Sequence, residues 1–345
     1  MTLPHKDLPH LSLELPPALR EKIKDVQEVA VSRSTQTKDT SRLWEFLAFY
    51  EGLGIKNQDA FLASEDLLVG WASSYAGQLA ERTVGVKLLA IRKEHEQCDL
   101  MWQGGNILRQ VLKGVEKLQP ALLFRTKRAP VTITMLEDLD KGLNRSLGLD
   151  ICVRAICLLL FFCQLCSGEI LPPTQHPDKF NPQRYATFAH IAKSTAENGA
   201  CNLHLPWSKT QKGRGDDVWI PHQEIPLDPI HALHKHFLKN TLSLRDSITA
   251  YQDDQGKLLT LTRSKSVCHI NTILRARGKG YPQITGHCFR VGGTTFYLIS
   301  GVLPDMVKKF RCWHSQAFLE YWHCLDYLGA LHIDMLPLNP KGMRK

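Results

Sequence analysis

The sequence predicts a mainly α-helical protein with one small β-sheet, divided into two domains. Its 345 residues are long for a single domain and natural for two. Most apolar segments repeat at helical spacing, whereas residues 201–221 show two short strand-like runs around a turn rich in Lys, Gly and Asp. A hydrophobic content of 43% with 8% aromatic residues is enough for real cores, which excludes wholesale disorder.

The first domain is predicted over residues 34–121, after a Pro-rich and loosely structured segment at 1–33. Its first helix is expected in TKDTSRLWEFLAFYEGLG, with Thr40 or Ser41 as N-cap. The second is expected to start near Asn57 or Asp59 in NQDAFLASEDLLVGWASSYAGQLA. The third and fourth follow in ERTVGVKLLAIRKEHEQ and GGNILRQVLKGVEKLQP. Together they predict a compact helical domain.

A basic linker is expected at 122–130, where Arg125, Lys127 and Arg128 suit a path along a polyanion or simply an exposed connection. The second domain, 131–345, begins with helices predicted in TITMLEDLDKGL and DICVRAICLLLFFCQLCSGEIL, the latter buried nearly all round. After the strands, helices are predicted in DPIHALHKHFLKNT, in SKSVCHINTILRARG, around GHCFRVGG and at the C-terminus.

A formal net charge of +9 favours a polyanionic partner such as DNA or RNA, with an ordinary basic surface as the alternative. Cys163 and Cys166 form a CxxC without a second pair at zinc-finger spacing, so we expect free thiols in a reducing compartment and no metal site. The N-terminus lacks the apolar core of a signal peptide. The longest apolar run, AICLLLFFCQLC, is shorter than the roughly 20 residues that cross a bilayer. We therefore expect a soluble intracellular protein.

His287 and Arg290 are the first candidates for chemistry. They lie three apart in GHCFRVGG, so on a helix they share a face. The guanidinium of Arg290 matches two phosphate oxygens, and the imidazole of His287 can donate to a third or move a proton. HxxR alone is frequent by chance. Its context is more specific, because Gly292 and Gly293 keep the helix slim enough for another backbone to approach closely.

A cationic hairpin is the second candidate. LPWSKTQKGRG places Lys209 in a strand or its turn, with Lys212 and Arg214 beyond it. Such a tip fits a DNA groove or backbone phosphates, although a charged and merely soluble turn is the commoner case for an isolated hairpin.

The order of these residues resembles the tyrosine recombinase (phage integrase) family. A strand lysine and HxxR are followed, in RCWHSQAFLEYWH, by Trp313, His314 and Tyr321. LPWSKT and WHSQAFLEY look like the versions in fungal mobile-element recombinases of the Crypton type. The resemblance covers nearly the whole chain. It implies a core-binding (SAM-like) domain at 34–121 and a recombinase catalytic domain at 131–345.

By this resemblance, Tyr321 would attack a DNA phosphate, leaving a 3′-phosphotyrosyl link and a free 5′-hydroxyl. Arg290 would stabilise the pentacoordinate phosphorane, and His287 would assist by hydrogen bonding or proton transfer. Trp313 would pack or donate to a non-bridging oxygen, with His314 as the rival for that role. Lys209 would protonate the departing 5′-oxygen. The resemblance implies no metal or other cofactor.

The sequence departs from the family at one position. The family has an arginine in a context like R-x-G-E, and here Gly168 and Glu169 are preceded by Cys166 in its place. Losing one preorganised donor costs on the order of 10²–10³ in rate, and losing a guanidinium up to roughly 10³–10⁵ by analogy with arginine fingers. Arg154 lies about 18 Å away along the same predicted helix, at 1.5 Å per residue, and so cannot substitute directly.

Three interpretations therefore compete. The first is an active recombinase with a relocated cation, and the second is a damaged or domesticated recombinase that still binds DNA. The third is a basic helical scaffold with an accidental motif, which the ordered motif disfavours. Cys166 favours impaired strand cleavage, whereas the other matching positions argue against long neutral decay. We retain a recombinase-type function and leave its activity open.

The expected partner is double-stranded DNA, clamped by the two domains. Phosphate contacts are expected from a set of basic residues: Arg263, Lys265, Arg275, Arg277 and Lys279. The alternative is that some of them only make the surface soluble. The tail after Tyr321 is amphipathic enough to dock on a neighbouring protomer, as family tails do in tetramers on two DNA sites, or to pack on its own domain. The resemblance also implies a nuclear location, without membrane or small-molecule partners.

Overall fold

The computed structural model describes residues 16–54, 63–98, 100–124, 129–193, 199–208, 211 and 213–310. The chain splits into two compact units, residues 1–126 and residues 127–345, and the division falls within the segment expected to be a basic linker. Within the described part, no helix is both long and apolar enough to cross a membrane.

The described part of the first unit is helical. Its helices are α1 (Pro17–Ala30), α2 (Arg33–Gly52), α3 (Glu65–Ser74), α4 (Glu81–Gln97) and α5 (Asn106–Lys117), followed by a 3₁₀ turn at Ala121–Leu123. Its core centres on Phe46, Tyr50 and Trp71, whose rings meet edge to face. The carboxylate of Glu65 accepts hydrogen bonds from the backbone of Gly105 and Leu108, which ties the start of α3 to the start of α5.

Two helix starts in this unit differ from the prediction. Residues 17–30, expected to be loosely structured, form α1, because a proline is well tolerated in the first turn of a helix and good helix formers follow it. Helix α2 begins at Arg33, capped by Ser32, and not after Thr40 or Ser41. The hydroxyls of Thr40 and Ser41 donate instead to carbonyls one turn earlier, which accommodates them inside the helix. The predicted start near Asn57 or Asp59 lies outside the described residues.

The second unit combines helices with two small sheets. Its helices are α6 (Ile133–Gly142), α7 (Gly148–Phe162), α8 (Ser167–Ile170), α9 (Pro229–Lys239), α10 (Arg263–Ala276), α11 (Gly286–Ile299) and α12 (Pro304–Lys309). Its strands are β1 (Ile191–Lys193), β2 (Cys201–Leu205), β3 (Asp216–Ile220), β4 (Ala250–Gln252) and β5 (Leu258–Thr260), and 3₁₀ turns lie at Pro177–Lys179 and Phe188–His190.

Helix α7 is the centre of this unit. Residues 150–162 are all buried, as the apolar sequence predicts, and α9 and α11 both pack against the helix. The prediction of one helix from Asp150 through to Leu171 is wrong, because α7 ends at Phe162. Gln164 takes a left-handed backbone conformation with φ 49°, and the amide of Leu165 returns to the carbonyl of Leu160. This is a Schellman ending, and it turns the chain so that Cys166 is the N-cap of the short helix α8.

The described part of the second unit contains more strands than predicted. β2 and β3 pair antiparallel, as the sequence indicates, and the structure sets Leu205 opposite Asp216. β1 adds a third strand beside β2, and β4 and β5 form a separate hairpin. These three additional strands have three residues each, which is too short to leave a readable alternation of polar and apolar residues.

Candidate active site

His287 and Arg290 lie on the N-terminal half of α11, where their neighbours anchor the helix. Cys288 and Phe289, between them, are each 1% exposed and belong to the core. His287 and Arg290 themselves are half-buried. Helical spacing therefore directs the two intervening side chains inward, and it leaves the imidazole and the guanidinium at the rim of the unit on a shared face.

Cys166, which by the resemblance stands in place of an arginine, lies beside Arg290. The Nη1 of Arg290 donates to the Sγ of Cys166 at 2.9 Å, across 124 residues of sequence. The backbone N–H of Cys166 donates to the Oε2 of Glu169 at 2.8 Å, so the glutamate that follows in the motif orients this turn. Cys166 and Arg290 are both half-buried. The two positions that carry arginines in the resemblance are thus in contact in this chain.

Glycines in α11 create this contact. A Cβ on Gly292 would collide with the carbonyl oxygen of Val131, and one on Gly293 would collide with that of Phe161. The close backbone approach predicted from the two glycines is therefore confirmed. Further along α11, the hydroxyl of Thr294 donates to Gln164 Oε1 at 3.0 Å. These contacts hold the helix that carries Arg290 against the C-terminal end of α7.

Arg154 has a structural partner and does not lie in the site. Its side chain is 4% exposed, and its Nε donates to Asp140 Oδ1 at 2.5 Å. It also donates to the carbonyl oxygen of Pro226. The expectation that Arg154 cannot replace an arginine at position 166 holds, although the helix connecting them in the prediction ends at Phe162.

The cationic hairpin is described in part. Arg214 lies exposed in the turn between β2 and β3, whereas Lys209 and Lys212 fall outside the described residues. Ser208, which precedes Lys209, is 3% exposed, and its hydroxyl accepts the N–H of Gln211 at 3.0 Å. The guanidinium carbon of Arg184 lies 3.1 Å from the centre of the Trp207 ring. This stacking, which sequence reasoning missed, anchors the backbone two residues before Lys209.

The predicted phosphate-contacting residues fall into two groups. Arg263, Arg275 and Arg277 are exposed on α10 or directly after it, and Lys265 is half-buried there and donates to the hydroxyl of Tyr251 at 2.5 Å. Lys279 instead forms an ion pair with Asp138 at 2.6 Å. Hydrogen bonds from Lys279 and Tyr281 lower the pKa of the Asp138 carboxyl. Lys279 therefore has a partner within the fold.

The remaining predicted site residues lie outside the described part of the chain. These are the proposed nucleophile and its neighbours, and the basic residues of the linker: Tyr321, Trp313, His314, Arg125, Lys127 and Arg128. Within the described ranges, no group of three His, Cys, Asp or Glu side chains is arranged to hold a metal ion.

No sequence profile of a protein family matches this chain, and no curated protein matches it in sequence. Its fold is nevertheless similar to solved structures. The Tn1549 transposon integrase in complex with transposon right end DNA has a TM-score of 0.54 at 13% identity, over 91% of this chain and 97% of that one. A lambda integrase dimer bound to a COC′ core site has a TM-score of 0.53 at 10% identity, over 88% and 93%.

A third structure, XerH site-specific recombinase bound to difH substrate in a pre-cleavage complex, has a TM-score of 0.52 at 15% identity, over 86% of this chain and 78% of that one. At such identities the similarity concerns the fold. This chain, mainly helical with a small antiparallel sheet, has the fold of tyrosine recombinase catalytic domain structures.

Proposed function

We propose that this chain is a site-specific tyrosine recombinase, which breaks and rejoins DNA through a 3′-phosphotyrosyl intermediate. The observation that carries the proposal is the contact between Arg290 and Cys166, two positions that are far apart in sequence. If the motif had arisen by chance, there would be no reason for Arg290 of HxxR to contact Cys166, the one position at which the sequence departs from the family pattern. The similar structures with DNA in their complexes support the same conclusion.

The chemistry follows from the roles of the residues. The phenolic oxygen of Tyr321 forms a bond to the scissile phosphorus while the bond from phosphorus to the 5′-oxygen breaks. Lys209 gives a proton to the leaving 5′-oxygen, and the phenolic proton leaves with help from neighbours such as His287, since a phenol near pKa 10 is mostly protonated at neutral pH. Arg290 holds the charge that develops on the phosphate oxygens. Rejoining is the reverse reaction, with a 5′-hydroxyl as nucleophile.

The alternative is a recombinase-derived DNA-binding protein with impaired cleavage. Cys166 favours it, because a thiol supplies no positive charge and here accepts one of the N–H groups that Arg290 would direct at a phosphate. DNA binding through exposed cations does not need that arginine.

A covalent-trapping experiment separates the two. Nicked duplexes carrying the terminal sequences of the DNA element that encodes the chain, beside a pool with a randomised site, are incubated with wild type, Tyr321→Phe and Cys166→Arg. We expect a protein–DNA adduct on a denaturing gel that disappears with Tyr321→Phe. Tight binding without an adduct, together with cleavage by Cys166→Arg, would instead establish the impaired form.

The wider setting follows from the resemblance. We propose double-stranded DNA as partner, with a tetramer as the assembly that exchanges strands and the nucleus as its location. The sequences LPWSKT and WHSQAFLEY support a place among recombinases of Crypton-type mobile elements. Sedimentation of the chain on its cleaved DNA tests the assembly: a strictly monomeric species would count against exchange between protomers.

A further inference from the structure

The site lacks a cation where its chemistry requires one. An arginine at position 166 would direct a guanidinium at the phosphate beside Arg290, and Cys166 supplies none. A recombinase that cleaves DNA without this arginine needs a positive group from another segment. Such a group has to reach the surface beside Cys166 and Arg290, and it must not already form an ion pair with a carboxylate.

Arg263 reaches this surface. It is the first residue of α10, and its Nε lies 3.7 Å from the point at which a Cβ on Gly286 would stand. The same point is 2.6 Å from the Cβ of Ser167, the residue after Cys166. Gly286 in turn directly precedes His287. Arg263 thus approaches Ser167 and the start of α11 together, from a third segment.

Gly286 makes room for the close approach of Ser167. Any side chain at position 286 would collide with Ser167, so α8 and α11 could not lie as close as they do. The Nε of Arg263, 3.7 Å from the same Cβ position, lies within ordinary contact distance of this junction. Sequence reasoning treated Arg263 as one phosphate contact among several, because nothing in the sequence links residue 263 to residues 166 and 286.

Arg263 also forms no ion pair with the described residues. Its side chain is exposed, and no carboxylate of the described part forms an ion pair with it. Other basic residues of this unit are occupied: Arg145 and Arg154 bind Asp140, and Lys279 binds Asp138. A guanidinium without a local anion is available to a phosphate, for which its planar fork is well suited.

We propose that Arg263 replaces the missing arginine: its guanidinium contacts the scissile phosphate beside Arg290 and stabilises the charge of the transition state. This inference rests on the proposed function and goes further, because it assigns a catalytic role to a residue outside the family motif. It also explains how Cys166 is tolerated, since the cation arrives from α10 and not from the turn that precedes α8.

The test measures adduct formation on two nicked duplexes that differ in one group. One has an ordinary scissile phosphate, and the other has a methylphosphonate there, which removes the negative charge that a guanidinium neutralises. Wild type, Arg263→Gln, Tyr321→Phe and the double variant Arg263→Gln/Cys166→Arg are compared. Arg245→Gln is the matched control, because it removes an exposed arginine of the same unit that lies in no proposed contact.

We expect Arg263→Gln to form adduct about 10²–10³-fold more slowly on the phosphate duplex. The deficit should shrink to less than about tenfold on the methylphosphonate, and Cys166→Arg should restore the rate on the phosphate. Equal rates for Arg263→Gln and Arg245→Gln, or an equal deficit on both duplexes, would overturn the role of Arg263 and leave the recombinase intact. A wild type that forms no Tyr321-dependent adduct on either duplex would overturn both proposals.

Discussion

Gly293 shows how much of the candidate site depends on single atoms. Its α-carbon faces the carbonyl oxygen of Phe161, at the last turn of α7, with no room for a methyl group. The approach of these two backbones carries Arg290, one turn earlier on α11, to the thiol of Cys166. Packing this tight transmits small displacements, because protein interiors are close-packed and yield little.

We expect Gly293→Ala to destabilise the unit by about 1–3 kcal/mol, the usual cost of overpacking, and to slow adduct formation. The measurement is the free energy of unfolding in urea. Gly168→Ala is the control, since a Cβ there meets nothing within 4 Å. If both variants unfold at the same urea concentration as wild type, the close approach is not under steric constraint.

The buried imidazole of His236 makes the stability of the second unit depend on pH. It is completely buried, its Nε2 donates to the carbonyl of Ile248 at 3.1 Å, and burial lowers its pKa to about 4. The unfolded chain takes up a proton below about pH 6.5, which the folded chain does not until about pH 4. Stability contributed by the neutral ring is therefore present above pH 6.5 and is lost as the pH falls towards 4, by up to about 1.4 kcal/mol per pH unit.

Urea unfolding between pH 7.5 and pH 4.5 measures this loss. We expect His236→Gln to be less stable than wild type at pH 7.5 and to lose less stability on acidification. A variant whose stability falls with pH as steeply as that of wild type would assign the acid sensitivity to other groups.

At the scale of elements, the junction of α7 and α11 decides the geometry of the site. The turn after α7 presents Gln164, which is 1% exposed, to the hydroxyl of Thr294 at 3.0 Å. Tyr297 donates to the carbonyl oxygen of Phe162 at 2.8 Å, one turn further along α11. The polar bonds and the glycine contacts together set the distance and the rotation of α11 relative to the end of α7.

Thr294→Val tests this junction with little change in shape. It leaves the side-chain oxygen of Gln164 buried without its donor, which costs about 1–3 kcal/mol. We expect Gln164→Leu in the same chain to recover part of that loss, because two apolar groups then face each other. The double-mutant cycle is measured by urea unfolding. An additive cycle would show that the bond between the two side chains contributes nothing.

At the scale of the whole molecule, the net charge of +9 and the exposed arginines around α10 predict salt-dependent binding to duplex DNA. The logarithm of the affinity falls with the logarithm of salt concentration, by about 0.9 per phosphate neutralised. Arg275→Gln with Arg277→Gln should therefore reduce the magnitude of the slope by about 2.

Lys279→Gln should reduce this slope less than either arginine, because Asp138 already holds its ammonium group at 2.6 Å. Arg245→Gln serves as the charge-matched control. The measurement is a titration of DNA binding by fluorescence anisotropy at several salt concentrations. A wild-type slope near zero would contradict a DNA clamp.

The sequence by itself determined the helical class, the region of the β2–β3 hairpin and the pairing of His287 with Arg290 on one helix face. These features depend on local periodicity, which is why α4 spans the segment predicted for it, Glu81–Gln97. Predictions from local sequence signals were wrong where a side chain has more than one possible hydrogen-bond partner, or where an element is very short. Thr40 and Ser41 are typical N-cap residues, yet their hydroxyls donate to backbone carbonyls within α2. Strands of three residues are too short to show an alternation of polar and apolar residues.

Only the tertiary structure decided which distant groups meet. In the sequence, Cys166 is the position that departs from the family motif. In the fold, it accepts a hydrogen bond from Arg290. Lys279 and Arg263 are equally basic in the sequence, but the fold gives Lys279 a buried carboxylate and brings Arg263 to the rim beside Ser167. The physical reason is that charge and hydrogen-bonding capacity belong to the residue, whereas the partner that uses them is set by long-range packing.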